Sequence, residues 1–184
     1  MREQRDGGST GAETAGPALS RGREILLAAA SGALLVLAFP PIGFLPAAFV
    51  ALLPLIHALR RGRPTGFWSA FRPGLVAGVV FFGFLLYWLV FLSSQEMDDP
   101  VVMSGPLVLL VVFQACFWGL ASLGCHLAAG RGRAPWALAI PVVWTAVEHL
   151  RSLGVLGFTW GAVGYSGIEA PRAVQFASVT GVFG

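Results

Sequence analysis

Apolar residues run along this chain in long blocks, separated by short breaks that carry Pro, Gly and Arg. The first block, Ile25 to Phe39, stops at Pro40-Pro41, because the residue before a proline avoids the helical region and proline lacks an N–H. Ile42 to Leu59 forms the second block, with Pro46 near its start and Pro54 inside. Pro73 to Leu92 is the third, and its proline suits a first helical turn. Pro106 to Ala129 is the fourth and longest, and Pro135 to about His149 the fifth. A membrane-crossing helix needs about 20 apolar residues. The pattern therefore predicts an all-α fold, a polytopic transmembrane helix bundle of about five spans plus the start of a sixth. That last stretch, Ala173 to Gly184, is too short to cross, so the chain reads as a fragment whose helical domain, 25–184, is truncated. Residues 1–24 are polar and of mixed charge. They cannot bury a core and read as a disordered tail. A signal peptide is the competing reading, but the first apolar block meets Pro40-Pro41 without a small-x-small cleavage site.

Composition agrees. The 184 residues are 56% hydrophobic and only 11% charged, with mean hydropathy +0.75; soluble domains carry about 25% charge. This excludes an ordinary cytosolic enzyme and a disordered protein. The net charge of +3 raises the question of a nucleic-acid partner. Every basic residue is Arg, however, and the Arg residues sit in clusters between apolar blocks rather than along one face, as topology signals do. With five spans, ten Arg fall on one side, in the tail, at 60, 61, 63 and 72, and at 131 and 133. The other side receives Arg151, Arg172 and the acidic loop Glu96, Asp98 and Asp99. The tail is thus expected in the cytoplasm.

Candidate chemistry inside the spans is sparse. Cys116 and Cys125, nine residues apart on one helix, point to opposite faces and cannot bridge. His57, His126 and His149 lie on different spans without metal spacing, so no metal site and no cofactor is expected. Gly164-Tyr165-Ser166-Gly167 lacks the glycine a nucleophile elbow needs two residues after its Ser, where Ile168 stands. Ala28 and Gly32, Gly74 and Gly78, and Ala115 and Gly119 repeat small residues at the four-residue spacing that lets helices approach closely. Gln114, Ser122 and Thr145 are the few polar groups within spans, and the first two fit helix–helix hydrogen bonding. Glu148 pairs with Arg151 at i, i+3 if its helix continues. The pair is either structural at the interface or functional at membrane depth.

Residues 153–170 hold five glycines together with Trp160 and Tyr165. The stretch is too broken for a span and too apolar for a free loop. It is expected to lie on the outer membrane surface as an interfacial segment, 151–172, where Trp and Tyr settle at the lipid–water boundary; a lid or a wall of a lipid-accessible site is the functional alternative.

These residues resemble the apolipoprotein N-acyltransferase family. The resemblance rests on Phe39-Pro40-Pro41 after a short first helix, Tyr87-Trp88 near the end of the third span, and a run of three linked motifs. In that run Glu148-His149-Leu150-Arg151 precedes Gly157-Phe158-Thr159-Trp160 and Gly164-Tyr165-Ser166. The family pattern is Glu-x-x-Arg, Gly-Phe-Pro-Trp and Gly-Tyr-Ser; Thr159 departs from it, and the acidic loop maps to nothing in it. The resemblance covers residues 22–184. It implies a bacterial inner-membrane, multi-pass protein with a phospholipid acyl donor, a diacylglyceryl apolipoprotein acceptor and membrane lipid as its partners. It also implies two-step acyl transfer through a cysteine thioester. By motif match, Trp160 and Tyr165 are the substrate-binding candidates, while Glu148 and Arg151 are structural residues near the site. No residue here matches the family's Glu-Lys-Cys triad, which belongs to a nitrilase-like domain, and the chain contains no lysine. Two other roles stay open: a non-enzymatic transporter or assembly factor, and a membrane anchor for a polyprenol-phosphate mannose synthase.

Overall fold

Every regular element among the described residues of the computed structural model is helical. These residues are 18–90, 100–130, 132, 134–154, 157–168, 175 and 181. Residues 1–17 of the polar tail, the acidic loop, Arg131, Arg133, residues 169–172 and nearly all of the sixth apolar stretch lie outside them. The elements are α1 (Arg21–Val36), α2 (Pro46–Ala51), α3 (Leu53–Gly62), α4 (Phe67–Leu86), α5 (Pro100–Cys125) and α6 (Trp136–Arg151). A π turn, His126–Gly130, continues α5, and a 3-10 turn, Val163–Gly167, follows α6.

Several expected boundaries move, each for a local reason. Helix α1 starts at Arg21, inside the stretch assigned to the tail, with Glu24 in its first turn. Glu24 is held there by Arg72 of α4 at 3.0 Å. The second apolar block is not one helix. It breaks at Leu52 between α2 and α3, because Pro54 has no N–H for the carbonyl of Val50 and its ring crowds that oxygen. Helix α4 begins at Phe67, so Pro73 lies within it rather than in its first turn. The earlier start follows from Ser69, whose Oγ accepts from the N–H of Gly66 at 2.9 Å and donates back to its carbonyl at 2.8 Å. Arg72 accordingly sits on a helix, not in a loop. Pro106 likewise falls within α5. Interior prolines persist where neighbouring helices hold the chain in line.

Lengths set what each element can cross. Phe67–Leu86 and Ser104–Gly130 are long and apolar enough to span a membrane. Helices α1 and α6 have 16 residues each, about 24 Å at the helical rise, less than the ~30 Å hydrocarbon core. Among the described residues, two helices are therefore long and apolar enough to cross by themselves.

Helix α4 is the centre of the packing, with α5 against one face and α1 against another. Small residues make this possible. A methyl added to Gly32 of α1 would lie 2.3 Å from the carbonyl oxygen of Ala77, and one on Gly74 would lie 2.1 Å from that of Trp118. Gly78 faces the backbone of Ala115. Since Gly74 meets Ser122 while Gly78 meets Ala115, α4 and α5 run antiparallel. Leu19 donates its N–H to Arg61 O at 3.2 Å, which sets the start of α1 beside the end of α3. The Ser31 hydroxyl donates to Ala51 O, tying α1 to α2. Inside, Phe81 stacks on Trp118 with centroids 5.0 Å apart, and Trp118 meets Trp144 edge-on at 4.9 Å. Gln114 and Ser122 are buried on α5, but among the described residues their side chains have no hydrogen-bond partner on another helix. Outside, Phe49, Leu109 and Phe84 are exposed, at 79%, 71% and 61%. An outer face this apolar suits contact with lipid rather than water.

The α4–α5 contact yields the first test. Gly74→Leu is expected to cost at least the ~1–3 kcal/mol of core overpacking, lowering the melting temperature in detergent by several degrees. Gly83→Leu, where an added carbon meets nothing within 4 Å, should leave it nearly unchanged. Equal melting temperatures for the two variants would refute the close approach.

Candidate functional site

The last turn of α6 carries two ionisable side chains that cannot reach bulk water: Glu148 is 8% exposed and Arg151 2%. Buried charges need hydrogen-bonding partners, and the following loop supplies one backbone group to each. Glu148 Oε1 accepts from the Val163 N–H at 2.9 Å and from Trp144 Nε1, one turn back on α6, at 3.3 Å. Arg151 Nη1 donates to the carbonyl of Trp160 at 3.0 Å, and its guanidinium lies 5.2 Å from the centroid of the Phe82 ring, within cation–π range. The two charges also attract each other. They do not act chiefly as a pair along the helix; each holds a different strand of backbone in the loop.

Local sequence shapes that loop. The Phe158 N–H returns to Arg151 O at 3.1 Å, folding the chain back on the helix end. Thr159 to Ala162 then forms a tight turn closed by Ala162 N to Thr159 O at 3.1 Å. Its third position is Gly161, with φ +76°, the conformation a type II turn requires there. Glycine is required for a second reason. An added carbon at this position would meet Leu85 at 2.7 Å and Phe81 and Phe82 at 3.0 Å. The turn is thus pressed against the C-terminal half of α4, and Ala162 is wholly buried. Ser166 Oγ donates to Val163 O at 2.7 Å and closes the 3-10 turn that carries Tyr165.

The consequence is a fixed backbone with exposed aromatic rings. Trp160 has its carbonyl held from below, yet its side chain is 50% exposed. Its ring lies 5.5 Å from that of Trp88 and 5.8 Å from that of Phe158. Tyr165 is 37% exposed on the neighbouring turn. The four candidates from the sequence, Glu148, Arg151, Trp160 and Tyr165, thus meet at one end of the bundle. Trp144 and Phe82 are further members, and sequence reasoning passed over both. The signal for Trp144 was its position four residues before Glu148 on the same helix face. Phe82 had no comparable signal, because it comes from another helix. Among the described residues no group of three His, Cys, Asp or Glu side chains could hold a metal ion. What the arrangement offers is an apolar and aromatic rim on a rigid support, suited to binding an apolar or amphipathic molecule.

Known proteins are similar to this chain. A family model described as the apolipoprotein N-acyltransferase N-terminal domain matches residues 31–184. Among curated relatives, the apolipoprotein N-acyltransferase of Geobacter metallireducens is 32% identical over 163 residues, covering 88% of this chain and 30% of that protein. That of Allorhizobium ampelinum is 37% identical over 175 residues, covering 88% of this chain and 32% of the relative. The Chromobacterium violaceum protein is 32% identical over 181 residues, covering 95% and 34%. The chain spans about a third of the length of the curated relatives it matches.

The brace predicts a separation between two substitutions. Glu148→Leu leaves the Val163 N–H without its acceptor, a loss of about 1–3 kcal/mol, and should raise hydrogen exchange at that amide tenfold or more. Glu148→Gln keeps an oxygen in place and should change it far less. Exchange at Val163 that is indifferent to both would remove the carboxylate from any role in the loop.

Proposed function

This chain belongs to the apolipoprotein N-acyltransferase family, and from that premise we propose that it forms the membrane part of such an enzyme. In this reading the full protein moves a fatty acyl chain from a phospholipid to the N-terminal diacylglyceryl-cysteine of a lipoprotein. A thiolate attacks the ester carbonyl of the phospholipid, and the lysolipid leaves. The α-amine of the lipoprotein then attacks the thioester, and the thiolate leaves. None of these bond changes is assigned to a residue of this chain. Its task is to receive two lipid-bearing substrates from the side and hold them at the mouth of the site.

The observation that carries this reading is the exposed Trp160 ring, set against Trp88, on a loop whose backbone is tied to the buried Arg151 and Glu148. A lipid chain contacting rigid rings gains apolar burial without first having to order them. We assign substrate contact to Trp160 and Tyr165, and positioning of the loop to Glu148 and Arg151.

In the proposed topology α1, the α2–α3 pair, α4, α5 and α6 make five crossings in the bacterial inner membrane, with the N-terminus in the cytoplasm. The clustering of Arg21, Arg23, Arg60, Arg61 and Arg63 near the junction of α1, α3 and α4 supports this orientation. It leaves the Trp160 loop on the opposite, outer side. The α1 helix, though short, fits a crossing where Arg21 and Arg23 at its start extend the reach into the interface.

The test uses the full-length coding sequence that contains these residues, expressed in a strain depleted of its own N-acyltransferase. Mass spectrometry of lipoprotein N-termini should show the third acyl chain restored. Trp160→Ala in that protein should lower kcat/KM on the order of tenfold, chiefly through KM, as loss of uniform binding does. Failure of the unmodified gene to restore acylation would refute the acyltransferase reading. Full activity of Trp160→Ala would refute the role of the loop.

A further inference from the structure

A second site lies at the other end of the bundle, away from the Trp160 loop. Helices α1 and α3 enclose an open groove of about 870 Å³, within the size range of ligand sites. Its wall changes character along its length. Leu27 and Leu34 of α1 face Val50, Leu53 and Ile56 in the apolar part, while His57 and then Arg60, Arg61 and Arg63 line the far end. On α3 the residues Leu53, His57 and Arg61 stand four apart in one row, so the gradient from apolar to cationic runs along a single helix face. Arg60, Arg61 and Arg63 are exposed. Among the described residues no carboxylate lies within 4 Å of any of the three, the nearby Glu24 being taken by Arg72.

Three guanidinium groups at the mouth of an apolar groove match one kind of molecule, a single anionic group on an apolar tail. We propose that this groove holds one anionic phospholipid, its headgroup phosphate on Arg60, Arg61 and Arg63 and an acyl chain along Leu34, Val50 and Leu53. Guanidinium suits this role because its planar donors bind phosphate oxygens in pairs. A topology signal needs only positive charge somewhere in a loop. Here the charges converge on the end of a groove, and that is the feature a topology signal alone leaves unexplained. The lipid is a resident ligand of the Arg side, separate from any acyl donor at the Trp160 loop: Gly62 lies against Glu24, whose partner Arg72 is early in α4, whereas the loop packs on Phe81, Phe82 and Leu85, late in α4. The inference does not depend on the acyltransferase reading.

The experiment reconstitutes the whole chain in nanodiscs holding equal phosphatidylglycerol and phosphatidylcholine, then counts retained lipids by native mass spectrometry. One phosphatidylglycerol per chain is expected to remain, enriched on the order of tenfold over phosphatidylcholine, about 1.4 kcal/mol of preference. Replacing Arg60, Arg61 and Arg63 together by Gln should abolish the enrichment. Leu53→Trp, at an exposed position where a larger side chain obstructs the apolar part of the groove but keeps every Arg, should weaken lipid retention; it carries the test if the triple variant fails to fold. Excess inorganic phosphate should not displace the bound lipid. No enrichment in the unmodified chain, enrichment undiminished by Leu53→Trp, or displacement by phosphate would each overturn the proposal. The second outcome would mean surface adsorption, and the third a site for phosphate rather than lipid.

Discussion

Two opposite charges buried on the last turn of α6 constrain the chain that follows them. Removing an ion from water costs several kcal/mol even after relaxation, and Arg151 and Glu148 are almost wholly enclosed. Neither can turn outward without vacating the core, so the backbone comes to them. The Trp160 carbonyl and the Val163 N–H are both fixed by this requirement. Between them lies Gly161, the residue whose missing side chain lets the turn settle on Phe81, Phe82 and Leu85. With the carbonyl of Trp160 held inward, its ring faces outward. The exposure of that ring follows from satisfying buried charge.

Helix α4 connects this end of the molecule to the other. In a membrane the hydrophobic effect gives helices little reason to associate with each other rather than with lipid, and close backbone contact has to substitute. Gly32, Gly74 and Gly78 provide it by bringing α1 and α5 against α4 without intervening side chains. One end of α4 takes part in the Arg72–Glu24 ion pair, and the other underlies the Trp160 turn. The stacked rings of Phe81 and Trp118, joined to Trp144, carry contact from α4 through α5 to α6. Trp144 in turn donates to Glu148. A continuous packed path thus runs from the close helix contacts to the loop.

Legibility in the sequence followed the range of the interactions. The helical class and the apolar blocks were legible because they depend on composition over many residues. The small-residue pairs announced close approach but not which helices would meet. The break at Pro54 could have been read locally, since its missing N–H acts only four residues away. The start of α4 could not be read from Pro73 alone, because the exchange between Ser69 and Gly66 and the bond from Arg72 to Glu24 on α1 decide it. At the site, Trp160 and Tyr165 stood out by glycine density and motif order. The partners of Glu148 and Arg151 did not, because Trp160 and Val163 offer backbone groups that any residue would carry.

By itself, then, the sequence determined a helical, strongly apolar chain, its division by proline and glycine, the clustering of arginine between apolar blocks, and the family. These are properties of short windows or of the residue inventory, where local sterics and hydropathy act alone. The tertiary structure decided which charges are buried and what satisfies them. It decided which glycines face another backbone, and how a groove graded from leucine to arginine arises between α1 and α3. Each of these depends on groups distant in sequence meeting within a few ångströms, and no local pattern specifies that meeting.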